Sequence, residues 1–286
     1  MDEIYAKFEK YLGYYGLCEE GKNFLREAAK KICQDAALTA RALEIKGKLA
    51  DTALDLKWDE EFAGASPQFG AFVFTLAIED MEKLYEDKNI PRGVLLETID
   101  DLGVWIKRQR DWFGEWGFTQ HGWLILHLRA KIFKLGRLQF EPGKLTTLPP
   151  ENLGLHLKKG DPILNVHIPR GGKLDEGACL DSFECAKRFF PEVLGYDFAA
   201  FGCFTWMFDP AFEKLLPPDS NIMKFQKMFS LFSGEEAYWG LDYVFVNITK
   251  ENIGEAPTDT SFRKNLVEYL LSGGKMHSGA GYRLNL

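Results

Sequence analysis

The chain is short of the residues that staple, chelate or anchor a protein. Its five cysteines, Cys18, Cys33, Cys179, Cys185 and Cys203, are scattered, odd in number and never set as a CxxC pair. That spacing gives no disulfide framework and no zinc-ligand pattern; it fits reduced, mostly buried thiols, and no metal is expected. The longest uninterrupted apolar run, from Ala71 to Ile78, is far below the roughly 18 to 20 residues that span a bilayer. The opening "MDEIYAKF" is acidic rather than an apolar signal core, so a cytoplasmic protein with no membrane partner is expected. Positive charge is in deficit: 35 Lys and Arg face 42 Asp and Glu, for a net charge of −7. Nucleic-acid recognition needs clustered Lys and Arg, so no such partner is expected. The one basic run, Ile106 to Arg110, reads as a solvated helix face. GxSxG, HExxH and GxxxxGK[ST] are all missing, which removes the signatures of serine hydrolases, zincins and P-loop enzymes. No helix is expected after the GxG of "SGAGYRLNL", so a dinucleotide fingerprint is not expected there.

What is present suffices for a substantial core. The 286 residues are 46% hydrophobic and 27% charged, enough for one large or two modest domains. Texture changes near residue 135. Before it, Ile4, Phe8 and Leu12 recur at helical spacing and "GKNFLREAAKKI" keeps the same period. Ser66 and Pro67 read as an N-cap and first-turn proline, Asn89 as the close of that helix, and Pro91 as the start of the next. Thr119 is expected to cap a helix "QHGWLILHLRAKIFKL" in which Leu124, Leu128 and Ile132 fall four apart. After Gly136, "RLQFEP", "ILNVHIP", "AAFGCFTWMF" and "GYRLNL" read as strands, with helices "DEGACLDSFECAKRFF" and "TSFRKNLVEYLL" between them. "SGEEAYWGLDYVFV" fits either a helix or a short strand. The expected fold class is α+β, with an all-helical N-terminal domain over 1–120 and a mixed sheet domain over 121–286.

The stretch "ILNVHIPRGGKLDEGACLDSFECAKRFF" is a strand, a glycine-bearing loop and a helix. Alternation puts Asn165 and His167 on one face of the strand and Val166 and Ile168 on the other. Pro169 ends the ladder, Arg170 and Lys173 supply charge, and Gly171 and Gly172 permit close backbone approach; Asp175 suits the N-cap. A helix N-terminus offers unpartnered N–H groups to an anion, so the loop is either a pyrophosphate cradle or a plain turn with two exposed cations. His167 is either a hydrogen-bonded strand residue or a base able to take a proton near neutral pH. Cys179 lies in the first turn of the helix, but Asp175, Glu176 and Asp181 favour its thiol, and it reads as structural.

The segments "GWLILHLRAKIFKLGRLQFEP", "LNVHIPRGGKL", "FTWMFDPAFEKLLPPDSNIMKFQKMF" and "TSFRKNLVEYLLSGG" together resemble bacterial acyltransferase domain-containing proteins. These have a helical N-terminal domain and a GNAT-like C-terminal domain. The resemblance spans nearly the whole chain and is most specific from Gly122 to Gln226. It implies an acyl-CoA-dependent transferase with acetyl-CoA or another acyl-CoA as co-substrate; the resemblance does not supply the acceptor, which is expected to be a small molecule or peptide carrying an amine or hydroxyl. In GNAT folds the pantetheine arm inserts between a fourth and fifth strand that splay apart, and the pyrophosphate rests on amides opening the next helix. By that resemblance "ILNVHIP" is the fourth strand and "AFGCFTWMF" the fifth. Asn165, Val166 and Ile168 would then line the cofactor, and Arg170, Gly171, Gly172 and Lys173 would meet its pyrophosphate. The loop departs from the usual pattern of Gln or Arg, two residues, Gly, one residue, then Gly or Ala, because Lys173 stands three positions after Arg170. His167 is the candidate base and Asp209 a second catalytic candidate, while Trp206, Ser220 and Asn221 would shape the acceptor pocket.

Two other readings stay open at this level. One is a GNAT-like domain without catalysis that serves as a binding module, with "DWFGEWGFTQHGW" as its partner surface. The other is an enzyme that handles a different anionic substrate through the same loop. The alternative for the aromatic segment is burial between the two domains, because Trp and Phe bury large areas.

Overall fold

The Ser66 hydroxyl accepts a hydrogen bond from the Phe69 amide at 3.2 Å, and Pro67 occupies the first turn of the helix that follows, where its missing N–H would have no partner. The structure, a computed structural model, describes residues 2–285. It forms two compact units: Met1–Leu135 with Pro169–Gly171, and Gly136–Ile168 with Gly172–Leu286.

The first unit contains α1 (Asp2–Leu12), α2 (Glu19–Gln34), α3 (Ala36–Ala50), the short α4 (Trp58–Glu61), α5 (Pro67–Asp87), α6 (Arg92–Phe113), α7 (His121–Leu128) and a three-residue strand, β1 (Phe133–Leu135). Helix α5 is its axis. Every residue from Phe69 to Ile78 is buried, and a helix apolar on all sides belongs inside. It packs on α1, α2, α3, α6 and α7. The aromatic segment divides: Trp116 and Phe118 are buried in this unit's own core, Phe118 edge-on to Phe74 at 5.1 Å and the Trp116 ring in the space beside Gly21, whereas Phe113 is exposed and Trp112 and Trp123 are half-buried. Gly117 sits at φ +125° with the Pro67 backbone where a Cβ would be, so only glycine fits there.

Helix α7 ends at Leu128 instead of running on through Ile132. Ala130 has φ +50°, which a right-handed helix cannot continue through. The preceding Arg129 is drawn away to the end of α3, where its guanidinium donates to the carbonyls of Lys48 (2.9 Å), Leu49 (3.2 Å), Asp51 (2.7 Å) and Leu54 (2.5 Å) and lies 4.7 Å from the Trp58 ring. The carbonyls of Lys48 and Leu49 lie in the last turn of α3 and those of Asp51 and Leu54 just beyond it, where backbone acceptors lack helical partners and a cation is favourable.

The second unit is the mixed domain. In chain order it carries β2 (Leu138–Lys144), β3 (Pro162–His167), α8 (Glu176–Leu194), β4 (Ala200–Thr205), α9 (Phe212–Leu215), α10 (Asn221–Gln226), β5 (Ser230–Glu236), α11 (Leu241–Val244), α12 (Ser261–Leu271) and β6 (His277–Leu284). Its strands run in the order β2-β3-β4-β6-β5. Among the described pairings of these strands, β3 and β4 alone are parallel, joined by α8 as a crossover helix must join them. Asp175 caps α8 by accepting from the Ala178 amide at 3.1 Å, and Gly195 ends it in the left-handed region. Phe183 and Phe190 of α8 meet Phe140 of β2, and Phe183 also meets Phe201 of β4, on one face of the sheet. On the opposite face Leu145, Ile163, Ala200 and Tyr282 form a second cluster with Leu155 and Leu157.

Three strand boundaries differ from the sequence expectation. β4 stops at Thr205, whose hydroxyl accepts from the Met207 amide at 3.2 Å and turns Trp206–Phe208 into a 3₁₀ helix. β6 begins at His277, well before "GYRLNL". Its Gly279 and Gly281 are strand residues because the Phe208 backbone and the Leu231 and Phe229 side chains fill the space a Cβ would need. "SGEEAYWGLDYVFV" is neither wholly helix nor strand: its start completes β5 and its middle forms α11.

Candidate active site

β3 and β4 share three rungs, Ile163 with Ala200, Leu164 with Phe201 and Asn165 with Gly202. Past Asn165, β3 continues beside β2 alone, with Val166 opposite Phe140 and His167 opposite Gln139. Past Gly202, β4 continues beside β6 alone, as far as Thr205 opposite Gly279. The two strands therefore part inside the sheet, and their facing backbone groups have no ladder partner in each other. Gly202 closes the last rung tightly: a Cβ there would lie 3.0 Å from the Tyr282 ring and 3.2 Å from Ile163 Cδ1.

Side chains alternate along each strand, so Ile163, Asn165 and His167 share the face of Ala200, Gly202 and Phe204, opposite to α8. His167 lies there beside the opening, its side chain 31% exposed, with Nε2 3.1 Å from Oε2 of Glu141. Glu141 was not singled out in the sequence. The signal was available, since the alternation in "RLQFEP" puts Gln139 and Glu141 on a polar side between Leu138, Phe140 and the proline. Asn165 lies over Gly143, with Nδ2 2.6 Å from the position a Cβ would take. Val166 faces the α8 side and is buried, and Ile168 is half-buried.

The loop residues divide between the two units. Arg170 belongs to the helical unit, with its guanidinium 4.3 Å from the centre of the Trp112 ring. Gly171 and Gly172 take φ of +92° and +70°, and nothing lies within 4 Å of where their Cβ atoms would be. Backbone conformation, not crowding by the chain, demands glycine at both. The Lys173 side chain is exposed, and its carbonyl accepts from Arg137 Nε at 2.9 Å. Cys179, in the first turn of α8, is fully buried, and that burial pushes its thiol up to about 11.

The remaining candidates serve the strand end and the helix caps. Trp206 is buried in a cluster with Phe212, Leu241 and Met276. Asp209 is fully buried, and its carboxylate oxygens accept from the backbone N–H groups of Ala211 (2.9 Å) and His277 (2.8 Å). The His277 ring, which the sequence reading did not mark, has Nδ1 3.9 Å from Asp209. Ser220 caps α10 by accepting from the Met223 amide at 3.4 Å, and Asn221 is the first residue of that helix. The structure thus gathers Asn165 and His167 with Glu141 at the strand opening and commits Asp209 and Ser220 to backbone amides elsewhere. Among the described residues no group of His, Cys, Asp and Glu is placed to hold a metal, and no helix is long and apolar enough to cross a membrane.

No curated protein matches the chain in sequence. Solved structures similar to it are those of an acyltransferase in complex with decanoyl-CoA and teicoplanin, and of an acyltransferase in complex with decanoyl-CoA. The first shows a TM-score of 0.75 at 22% identity over 99% of this chain and 87% of that one. The second shows a TM-score of 0.69 at 24% identity over 85% and 75% respectively. At these identities the likeness is one of fold. Residues 6–130 match the N-acyltransferase N-terminal domain. Residues 132–283, more than half the chain, match the GNAT-like C-terminal domain, and the protein belongs to this acyltransferase family.

Proposed function

We propose that the protein transfers an acyl group from acyl-CoA to an amine or hydroxyl of a small-molecule or peptide acceptor, with His167 as general base. The parting of β3 from β4 beside the His167–Glu141 pair carries this reading. A thioester arm fits between two strands whose edges are open, and its carbonyl would meet backbone N–H groups able to stabilise a developing oxyanion. Glu141 Oε2, 3.1 Å from Nε2, orients the imidazole, and the ring takes the proton as the acceptor's nitrogen or oxygen bonds to the thioester carbon. The tetrahedral intermediate then collapses, the C–S bond breaks, and the proton passes to the departing CoA sulfur. No protein nucleophile is needed, because holding both substrates together supplies much of the rate.

In this reading Asn165, Val166 and Ile168 line the arm, Arg170, Gly171, Gly172 and Lys173 receive the pyrophosphate, and the open glycine backbone at 171 and 172 leaves room for it. Related folds solved with decanoyl-CoA, octanoyl-CoA and teicoplanin support a medium-chain donor and a peptide-like acceptor. An acyl-CoA donor and free thiols agree with a cytoplasmic setting. Calorimetric and thermal titration with octanoyl-CoA tests the reading. Ligand at about a hundred times its dissociation constant is expected to stabilise the fold by about 2.7 kcal/mol. Absence of binding would leave a GNAT-like interaction module.

A further inference from the structure

Phe204 occupies on β4 the position that His167 occupies on β3. Each lies two residues past the last shared rung, Asn165 with Gly202, and on the same face of the sheet. Phe204 is 64% exposed, whereas Ile163, Ala200 and Tyr282 on that face are covered by Leu145, Leu155 and Leu157. Its ring stacks on Trp239 with centroids 5.8 Å apart and planes 26° from parallel. Trp239 in turn meets Tyr243 edge-on at 5.9 Å, and Tyr243 stacks against the buried Trp206 at 6.4 Å. Three partly exposed rings thus run outward from the strand opening and are fixed from behind by a core tryptophan. Rigid aromatic surface with one wet side is characteristic of recognition, since its ordering costs little when a ligand arrives.

We infer that Phe204, Trp239 and Tyr243 form the acceptor subsite and hold an amine whose ring, aromatic or saccharide, lays an apolar face against theirs. The inference rests on the acyl-transfer reading and adds the chemical class of the acceptor. The side from which the nucleophile enters decides between acceptor and acyl chain as the occupant. A base takes its proton from the attacking group, so that group must stand on the face of His167. Phe204 is on that face, and α8, whose first turn would receive the donor's pyrophosphate, is on the other. The carboxylate of Glu141 beside His167 and the ring faces attract an amine that arrives as an ammonium, which sheds one proton to solvent before the neutral nitrogen attacks and gives a second to His167.

The test uses the full chain with octanoyl-CoA as donor and follows release of the CoA thiol with tyramine, glucosamine or n-butylamine as acceptor. The wild type is expected to use the ring-bearing amines with kcat/KM at least about tenfold above n-butylamine. Phe204→Ala is expected to raise KM for tyramine about tenfold while octanoyl-CoA affinity in calorimetry holds, and Phe204→Tyr is expected to keep the wild-type KM. A folded Phe204→Ala variant that loses octanoyl-CoA affinity instead makes the rings an acyl-chain wall and overturns the inference. A wild type that binds octanoyl-CoA yet shows no preference for ring-bearing amines overturns it alone. One that binds no octanoyl-CoA brings down the transferase reading as well.

Discussion

His167 Nε2 reaches Glu141 Oε2 across a diagonal of the β2–β3 ladder, since His167 pairs with Gln139 and Glu141 with Asn165. The contact ties the orientation of the imidazole to a neighbouring strand rather than to its own loop. His167→Gln keeps size and hydrogen bonding but removes the ring that would accept the proton. With a competent acceptor, kcat is expected to fall by about 10² or more while octanoyl-CoA affinity holds. Turnover at the wild-type rate would make the histidine structural.

Arg170 and Lys173 are expected to act on the donor alone. Each charge-assisted contact to a pyrophosphate is worth on the order of 1.5 to 3 kcal/mol, so replacing both with alanine should weaken CoA binding by several kcal/mol at most. Arg170→Ala also removes the Trp112 stack, worth about 0.5 to 1 kcal/mol to the fold at an exposed site. An unchanged CoA dissociation constant in the double variant would return the loop to a plain turn.

Asp209 is expected to show in stability before it shows in rate. Its buried carboxylate satisfies the amides of Ala211 and His277, and alanine would leave both donors buried without an acceptor. Asp209→Ala should cost about 3 kcal/mol in urea unfolding. A loss below about 1 kcal/mol combined with collapse of kcat would instead give the residue a catalytic role.

Acid should loosen the helical unit through His121. Its ring stacks on Phe62 at 3.9 Å, and Nε2 has no hydrogen-bond partner among the described residues. Burial lowers its pKa to about 4, although Asp59 pulls the other way. The unfolded chain, titrating near 6.5, therefore binds the proton more readily than the folded one. Stability is complete above that value, falls as pH drops toward 4, and levels off below it. The loss attributable to this ring should be at most about 3 kcal/mol. His121→Phe keeps the stack and should flatten the stability profile between pH 6.5 and 4; an unaltered slope would assign the acid sensitivity elsewhere.

Much of the architecture was written in local chemistry. Ser66, Pro67, Asp175 and Ser220 each cap or open the helix their types predict, because a cap is decided within three residues. Thr119 does not cap α7, whose N-cap position is Gln120, and the other errors came from partners distant in sequence. α7 stops where Arg129 is claimed by carbonyls about eighty residues earlier, and β6 keeps its glycines because Phe208 and Leu231 press on them. The site was legible as a strand, a loop and a helix. Glu141 and Phe204 were not, because their meaning arises only when β2, β3 and β4 are laid side by side and two of them diverge.

That divergence leaves two strand edges in the middle of a sheet with no ladder partner in each other. An exposed outer edge invites another polypeptide to add on, whereas this inner one admits only a slender guest bearing its own amides. The thioester's arm would act as a short surrogate strand. The amides of Val166 and His167 point to opposite edges of β3, and the one that faces the gap should accordingly exchange faster with solvent than the one that faces β2, and slow when the guest is in place.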